Sequence, residues 1–532
     1  MMPALPTKQR DSRQIAGITA LALIVLLVAM ALSATVLAGW QGDWTSNLDT
    51  VGHITLFTLW QAILSLILSL CFAIPVALAL DDLQLFFGRR LVLLVFTIPL
   101  ALPVIVAVLA LLTLLGRNGA LSQLTQISGF DWKPDIYGLS GILIAHVFFN
   151  MPLAVRMILI RFEAIPQELW KLGESLGLSA WDRFRILQWP TLLAILPGLC
   201  GLIVLLCVGS YTIILVLGGG PQATTLQVAV YQALSFDFDI TRAAMLTLAQ
   251  LGVTIILLWS VPNMPMIQTQ RGLGFMRRYH QTTTLVRTLS VLLVSIACLF
   301  IALPLGAVAL SGLRSNHEKL LVDPLLWRAV STSIAIGLLS ALLSVGAAWA
   351  LSAASYSYAK HHSPFAAVFR SIPLALLAIP SLILGIGWFL VVIKTGLPLT
   401  IAPLLIVLAN AMMALPFAIQ FIQPKLFETF DTSDRLAQSL GLAGMTRLHI
   451  IDLPVMRPAF MTAGLFAFAL SLGDLGVVTL FGTEQILTLP ALIFQKMGSY
   501  RSNDAAGLAL YLAILTGLMT YLAMKAERND RV

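Results

Sequence analysis

Charge is what this sequence has least of. Asp, Glu, Lys and Arg make up 11% of its 532 residues, against about 25% in an ordinary soluble domain. With 59% apolar residues and a mean hydropathy of +0.93, the chain cannot cover a water-facing surface with polar groups. That excludes a string of soluble domains. Cysteine is scarce too. Cys71, Cys200, Cys207 and Cys298 all lie in apolar runs and form no CxxC. A disulfide framework and a thiolate metal site are thereby excluded, leaving small core residues. GxxxxGK[ST] is missing, so nothing here cradles a nucleotide phosphate. HExxH is missing, and His146 has no Cys or His cluster near it in the sequence, so no metal or other cofactor is expected in this chain. The formal charge of +8 is dispersed over separate loops, which argues against nucleic acid as a partner.

What is present is length of apolar run. A helix needs roughly 20 apolar residues to cross a bilayer. Twelve runs qualify, at about 15–39, 54–80, 91–115, 136–160, 191–218, 243–261, 286–312, 330–354, 366–393, 400–423, 459–482 and 505–524. They are continuously apolar rather than alternating, which favours helices over a barrel. The expected fold is an all-α polytopic membrane protein of about 12 transmembrane helices. The first run is too long for the 7–15 residues of a signal-peptide core, so it is expected to remain as a span. With the N-terminus on the cytoplasmic side, the inner segments hold more than twice as many Lys and Arg as the outer loops. The positive-inside rule then puts both termini in the cytoplasm.

The chain repeats itself. KLGESLGLSAWDRFRILQWP (171–190) and RLAQSLGLAGMTRLHIIDLP (435–454) align without gaps, 264 residues apart, with eight identical positions that include Gly177/Gly441, Arg183/Arg447 and Pro190/Pro454. IAHVFFNMPLAV (144–155) and LANAMMALPFAI (408–419) match at the same offset, and IPLALP (98–103) resembles IPLALLAIP (372–380). Residues 1–265 and 286–532 thus read as two six-helix halves of one orientation, related by a pseudo-two-fold axis along the membrane normal. The basic segment 266–285 reads as a cytoplasmic linker.

Each repeated segment falls in a cytoplasmic loop, 161–190 and 424–458, between the fourth and fifth span of its half. Leu169, Leu172 and Leu176 share one helical face. Gly177 suits the residue after a helix end, Ser179 and Asp182 suit a capping box, and Pro190 and Pro454 suit the start of the next span. The expected product is a short helix–turn–helix lying along the membrane.

This frame resembles the EAA signature of ABC importer permeases, with Gly at the family spacing before an Ile-x-Leu-Pro-like ending. The Glu-Ala-Ala triplet itself is degenerate, as Lys171-Leu172-Gly173 and Arg435-Leu436-Ala437. The resemblance implies a type I importer fold and two coupling helices. These would use Lys171, Leu172, Glu174, Ser175, Gly177 and Pro190, with Arg435, Leu436, Gln438, Ser439, Gly441 and Pro454 in the second copy. Their partners would be two copies of a separate cytoplasmic ATPase, which would hold the ATP and Mg²⁺. Stretches such as LGGGPQATTLQVAVYQALSFDFDITRAAML (217–246) and SLGDLGVVTLFG (471–482) are most similar to the thiamine permeases of Gram-negative bacteria, with the fused iron(III) permeases as the alternative. That resemblance implies an inner-membrane protein, and outer loops that receive a periplasmic thiamine-binding protein. An ion-coupled secondary transporter is a further alternative, but it would need more ionisable residues in the spans than Asp474 and Arg156.

Candidates for the translocation path are Asp474, its repeat counterpart Ser210, Tyr211, His146 and Trp388. An ionisable group inside a span usually faces a bundle interior or an aqueous path, although Gly473-Asp474 could equally mark a helix break that Asp474 caps. Aromatic rings could stack on a cationic ring system, but they more often pack or sit at the membrane interface.

Overall fold

The structure is a computed structural model that describes all residues except 1–6, 41–43, 84–87, 130–133, 221–222, 261–283, 361, 377–378, 443, 483–485, 500 and 530–532. The expected linker thus lies outside the described residues, apart from its last two. Among those described, every regular element is helical. In chain order the main helices are α1 (Thr7–Trp40), α2 (Trp44–Asp82), α3 (Arg89–Val95), α4 (Ile98–Ala101), α5 (Val104–Leu115), α6 (Leu139–Glu163), α7 (Gln167–Ser175), α8 (Trp189–Val208), α9 (Thr212–Leu217), α10 (Leu226–Ser235) and α11 (Ile240–Ser260). They continue with α12 (Thr284–Leu313), α13 (Pro324–Lys360), α14 (Phe365–Leu376), α15 (Ser381–Thr395), α16 (Ala402–Ser439), α17 (Leu453–Gly473), α18 (Gly476–Phe481), α19 (Leu489–Gly498) and α20 (Ser502–Asn529). Among the described residues, eleven stretches are long and apolar enough to cross a membrane, and α15 is a shorter apolar helix.

Four of the twelve expected runs are not single helices. The fifth is divided into α8 and α9 and the eleventh into α17 and α18, while the third is broken into α3, α4 and α5 and the ninth into α14 and α15. The last two breaks fall at or directly after the repeated Ile-Pro-Leu-Ala-Leu motif. Pro103 and Pro380 immediately precede α5 and α15 with extended backbone (ψ 137° and 142°). Proline has no N–H to give the preceding turn, so the helix restarts there rather than running through.

The chain divides into two compact units that are not its two sequence halves. One comprises Met1–Trp44, Val230–Leu251 and Ser315–Val532; the other comprises Thr45–Ala229 and Gly252–Arg314. The first helix therefore belongs with the later unit and α12 with the earlier one. Small residues explain the place of α1. A Cβ on Gly17 would strike Ala354 of α13, and one on Gly387 of α15 would strike the backbone of Ala31. Between helices in lipid, such close backbone approach takes the place of hydrophobic drive. Each unit has its own apolar core. Ala77, Phe96, Leu111, Phe148, Ile158 and Leu199 belong to that of the earlier unit, and Ala31, Leu351, Trp388, Ile406, Phe430 and Ala463 to that of the later.

Each unit contains a corresponding internal joint. In the earlier unit, Thr58 Oγ1 of α2 accepts the Leu226 N–H that opens α10 (3.0 Å). In the later unit, Ser333 Oγ of α13 accepts the Leu489 N–H that opens α19 (2.8 Å). Both hydroxyls satisfy a helix-start N–H that has no partner within its own helix.

Candidate coupling loops and membrane path

The two repeated loops have the same backbone turn. α7 ends at Ser175, and the Leu178 N–H returns to Gly173 O (3.0 Å); α16 ends at Ser439, and the Leu442 N–H returns to Ala437 O (2.8 Å). Gly177 and Gly441 sit at φ 65° and 66°. A Cβ there costs about 1–2 kcal/mol, which is why glycine closes both helices. Ser175 and Ser439 donate to Leu172 O and Leu436 O, each at 2.8 Å. After the first turn, the capping box forms as read from the sequence: Ser179 Oγ donates to Asp182 Oδ2 (2.6 Å) and accepts the Asp182 N–H (3.2 Å).

What these turns present is apolar. Leu172, Leu176, Leu436 and Leu440 are all more than half exposed, flanked by exposed Lys171 and Arg435. The side chains of Glu174 and Gln438 lie outside the described residues. The expected short helix is separate only in the first copy, as α7; in the second, α16 runs unbroken for 38 residues through the start of the loop to Ser439. Exposed leucine faces of this kind are candidate docking surfaces.

Pro190 and Pro454 stand at the second position of α8 and α17, as expected. Each of these helices is entered directly from a wide π turn, Phe184–Gln188 and Leu448–Asp452. A proline ring clashes with the carbonyl four residues earlier in a regular α-helix. Here that residue, Ile186 or Ile450, lies in the widened turn, which relieves the clash without a break.

Spans five and eleven both break near their C-terminal ends. α8 stops before Gly209-Ser210 and resumes as α9, while α17 stops before Asp474 and resumes as α18. Asp474 Oδ1 accepts the Gly476 N–H (3.3 Å), so the capping role holds. Its Oδ2 and the Ser210 hydroxyl are enclosed and make no hydrogen bond among the described residues. Tyr211 is buried and leads into α9.

His146 is buried on α6, with Nδ1 2.8 Å from Ser65 Oγ of α2. Beside it, Asn150 Nδ2 donates to Cys207 Sγ (3.2 Å) and Gln61 Nε2 to Cys207 O (3.2 Å). The later unit places Asn410 and Ser471 at the positions equivalent to His146 and Cys207, joined at 2.8 Å. Trp388 is wholly enclosed, and its indole N–H donates to Leu27 O (3.0 Å); that geometry assigns it to packing of α15 on α1. Phe148 and Phe149 likewise stack edge-on within the core. Arg156 of α6 donates to Thr97 Oγ1 (2.9 Å) at the α3–α4 break. Near α11 and α19, charges pair locally: Arg242 with Asp237 and Lys496 with Asp323, each at 3.2 Å.

No family model matches the chain. The thiamine transport system permease protein of Brucella abortus is 42% identical over 540 aligned residues, covering 100% of this chain and 99% of that protein. The chain belongs to the thiamine transport permease family. Family members from Escherichia coli and Salmonella typhimurium are 38% and 37% identical, each over more than nine-tenths of both chains. A molybdenum transport permease of Azotobacter vinelandii matches over 139 residues at 31% identity, 26% of this chain and 59% of that one. A thiamine transport permease is thus also similar in part to a permease for another solute, in keeping with a shared importer frame. The loops, the break at Asp474 and His146 on α6 were each flagged by sequence. The Gln61–Ser65 side of that cluster was missed, although Thr58, Gln61, Ser65 and Ser69 recur at helical spacing along α2 and are fully buried.

Proposed function

We propose that this chain is the membrane-spanning permease subunit of an ATP-driven importer that carries thiamine from periplasm to cytoplasm by alternating access. Near full-length similarity to thiamine transport permeases carries the choice of solute. The observation that carries the mechanism is the pair of glycine-closed helices with exposed leucine faces. Each offers a rigid, apolar face to one copy of a cytoplasmic ATPase. ATPase closure moves the face, and the spans joined to it through the π turns move as a body. ATP and Mg²⁺ belong to that separate subunit.

The chain lies in the inner membrane with both termini cytoplasmic, and a periplasmic thiamine-binding protein delivers the solute to the outer loops around α10 and α19. The path passes the breaks at Ser210–Tyr211 and Asp474, where enclosed polar atoms can exchange partners with a passing cation, and His146 lies on the same route. Trp388 is left out of it because of its packing role.

Reconstitution tests the reading. The chain, a cognate ATPase and the binding protein in proteoliposomes should take up thiamine in an ATP-dependent, vanadate-sensitive way. Unlabelled thiamine should compete, and iron(III) should not. Competition by iron(III) would overturn the solute, and uptake by the chain alone on an ion gradient would overturn the mechanism. Competition by thiamine phosphates would widen the substrate class.

A further inference from the structure

The two coupling loops share a backbone but not the means by which they are held. At the base of the second, the buried carboxylate of Asp434 receives three cations. Arg447 Nη1 lies 2.7 Å from it, Arg13 Nη2 3.2 Å, and Lys360 Nζ 3.2 Å. Arg447 also reaches Asp452 through Nε at 3.3 Å. The guanidinium groups of Arg13 and Arg447 both lie over the Phe430 ring, 3.8 and 4.9 Å from its centre. Next to this knot, the Tyr356 hydroxyl donates to Asp431 (2.7 Å). All of these groups belong to the later unit. They tie together the start of α1, the end of α13, the last turns of α16 and the return limb of the loop.

The first loop has none of this. Arg183, the repeat counterpart of Arg447, makes no ion pair among the described residues. Trp170 stands in the place of Asp434, and Gln188 in that of Asp452. Gln188 donates instead to Asp81 of α2, at 2.7 Å. The Arg89–Glu163 pair (3.3 Å) lies on the far side of the interruption between α6 and α7, where Pro166 stands in the place of Phe430. Arg287, in the first turn of α12, is exposed and makes no ion pair among the described residues.

We propose that Arg13 is a positioning residue for energy coupling. With Asp434 and Arg447 it locks the second coupling loop to α1, so that this loop moves as part of its unit while the first remains the more compliant of the two. A buried carboxylate holding several cations is costly to disrupt at any one partner, and planar guanidinium groups stacked on a ring hold their direction better than a lysine would. The N-terminal helix, far from the loop in sequence, thereby becomes part of the lever. The lever role rests on the importer reading; the tie itself does not.

The test compares Arg13→Ala and Arg13→Lys with wild type in the full-length chain. Amide hydrogen exchange should rise severalfold over 434–447 in Arg13→Ala and stay unchanged over 170–183. Reconstituted with the ATPase and the binding protein, the same variant should hydrolyse ATP but import severalfold less thiamine per ATP, with partial recovery in Arg13→Lys. Unchanged exchange at 434–447, or an equal rise in both loops, overturns the tie. Selective loosening with an unchanged thiamine-to-ATP ratio overturns the positioning role. A wild-type chain without ATP-driven uptake overturns the importer reading and the lever role with it, a result the exchange measurement separates from failure of the tie.

Discussion

Spans five and eleven break at the same place and restart with the same short helix, yet one break carries Ser210 and the other Asp474. The same pattern recurs one turn away, where His146 of one unit answers Asn410 of the other. Backbone geometry has been kept in both copies, while polar chemistry has been allowed to differ. The lesson is that backbone shape is repeated in this protein and charge is not.

The comparison is broken most severely at the turns, where the copies are most alike. Gly177→Asp and Gly441→Asp both force a side chain into a left-handed conformation at about 1–2 kcal/mol and place a carboxylate beside an apolar docking face. Each should abolish thiamine uptake while leaving the protein in the membrane, as read by transport assay and membrane immunoblot. If only one of them does so, the two faces are not equivalent.

Asp474→Asn keeps the acceptor for the Gly476 N–H and removes only the charge. Uptake should fall about tenfold, equal to about 1.4 kcal/mol at the barrier. Ser210→Ala, at the matching break, should change it little. Full activity in Asp474→Asn would reduce that residue to a cap, for which Asp474→Ala should then show a loss of about 1 kcal/mol in stability.

Smaller effects are expected from exchanging the polar pair. His146→Asn makes the earlier unit resemble the later one and should raise the KM for uptake a fewfold, with the maximal rate kept. Asn410→His, the reverse exchange, tests whether the imidazole is tolerated in the other unit.

The smallest effect lies at the Asp323–Lys496 pair. Burial acts to raise the Asp323 pKa, but the Leu325 N–H and the Lys496 ammonium outweigh it and hold it below the ordinary carboxylate value. The Asp323–Lys496 contribution is therefore complete above the ordinary value and is lost as pH falls through the lowered one. For a part-exposed pair it is worth about 0.2–1 kcal/mol. Asp323→Asn should loosen α19 slightly at neutral pH, seen by hydrogen exchange, whereas wild type should do so only in strong acid.

Much of this was legible in the sequence because it was local. The glycine turns, the capping box at Ser179 and the break at Asp474 depend on residues within a few positions of one another. The proline breaks were half legible: Pro103 and Pro380 stood in the quoted repeat, but the apolar residues around them gave the appearance of continuous spans. The partners of α1 were not legible. Lipid and a neighbouring helix are equally apolar, so no hydrophobic pattern tells which face of a span meets protein, and the small residues that decide it look like any others. The Arg13–Asp434 bond joins residues 421 positions apart, beyond the reach of any local rule.

The exchange of first helices has a consequence for how the protein is made. α1 leaves the ribosome before any of its packing partners exist, and α13 begins only at Pro324. At about 5–20 residues per second, α1 must wait on the order of tens of seconds in the membrane with its small-residue face uncovered. The earlier unit in turn is incomplete until α12 has been made. The earlier unit therefore cannot finish during synthesis of its own half of the chain, whereas the later unit is completed by a helix made long before the rest of it.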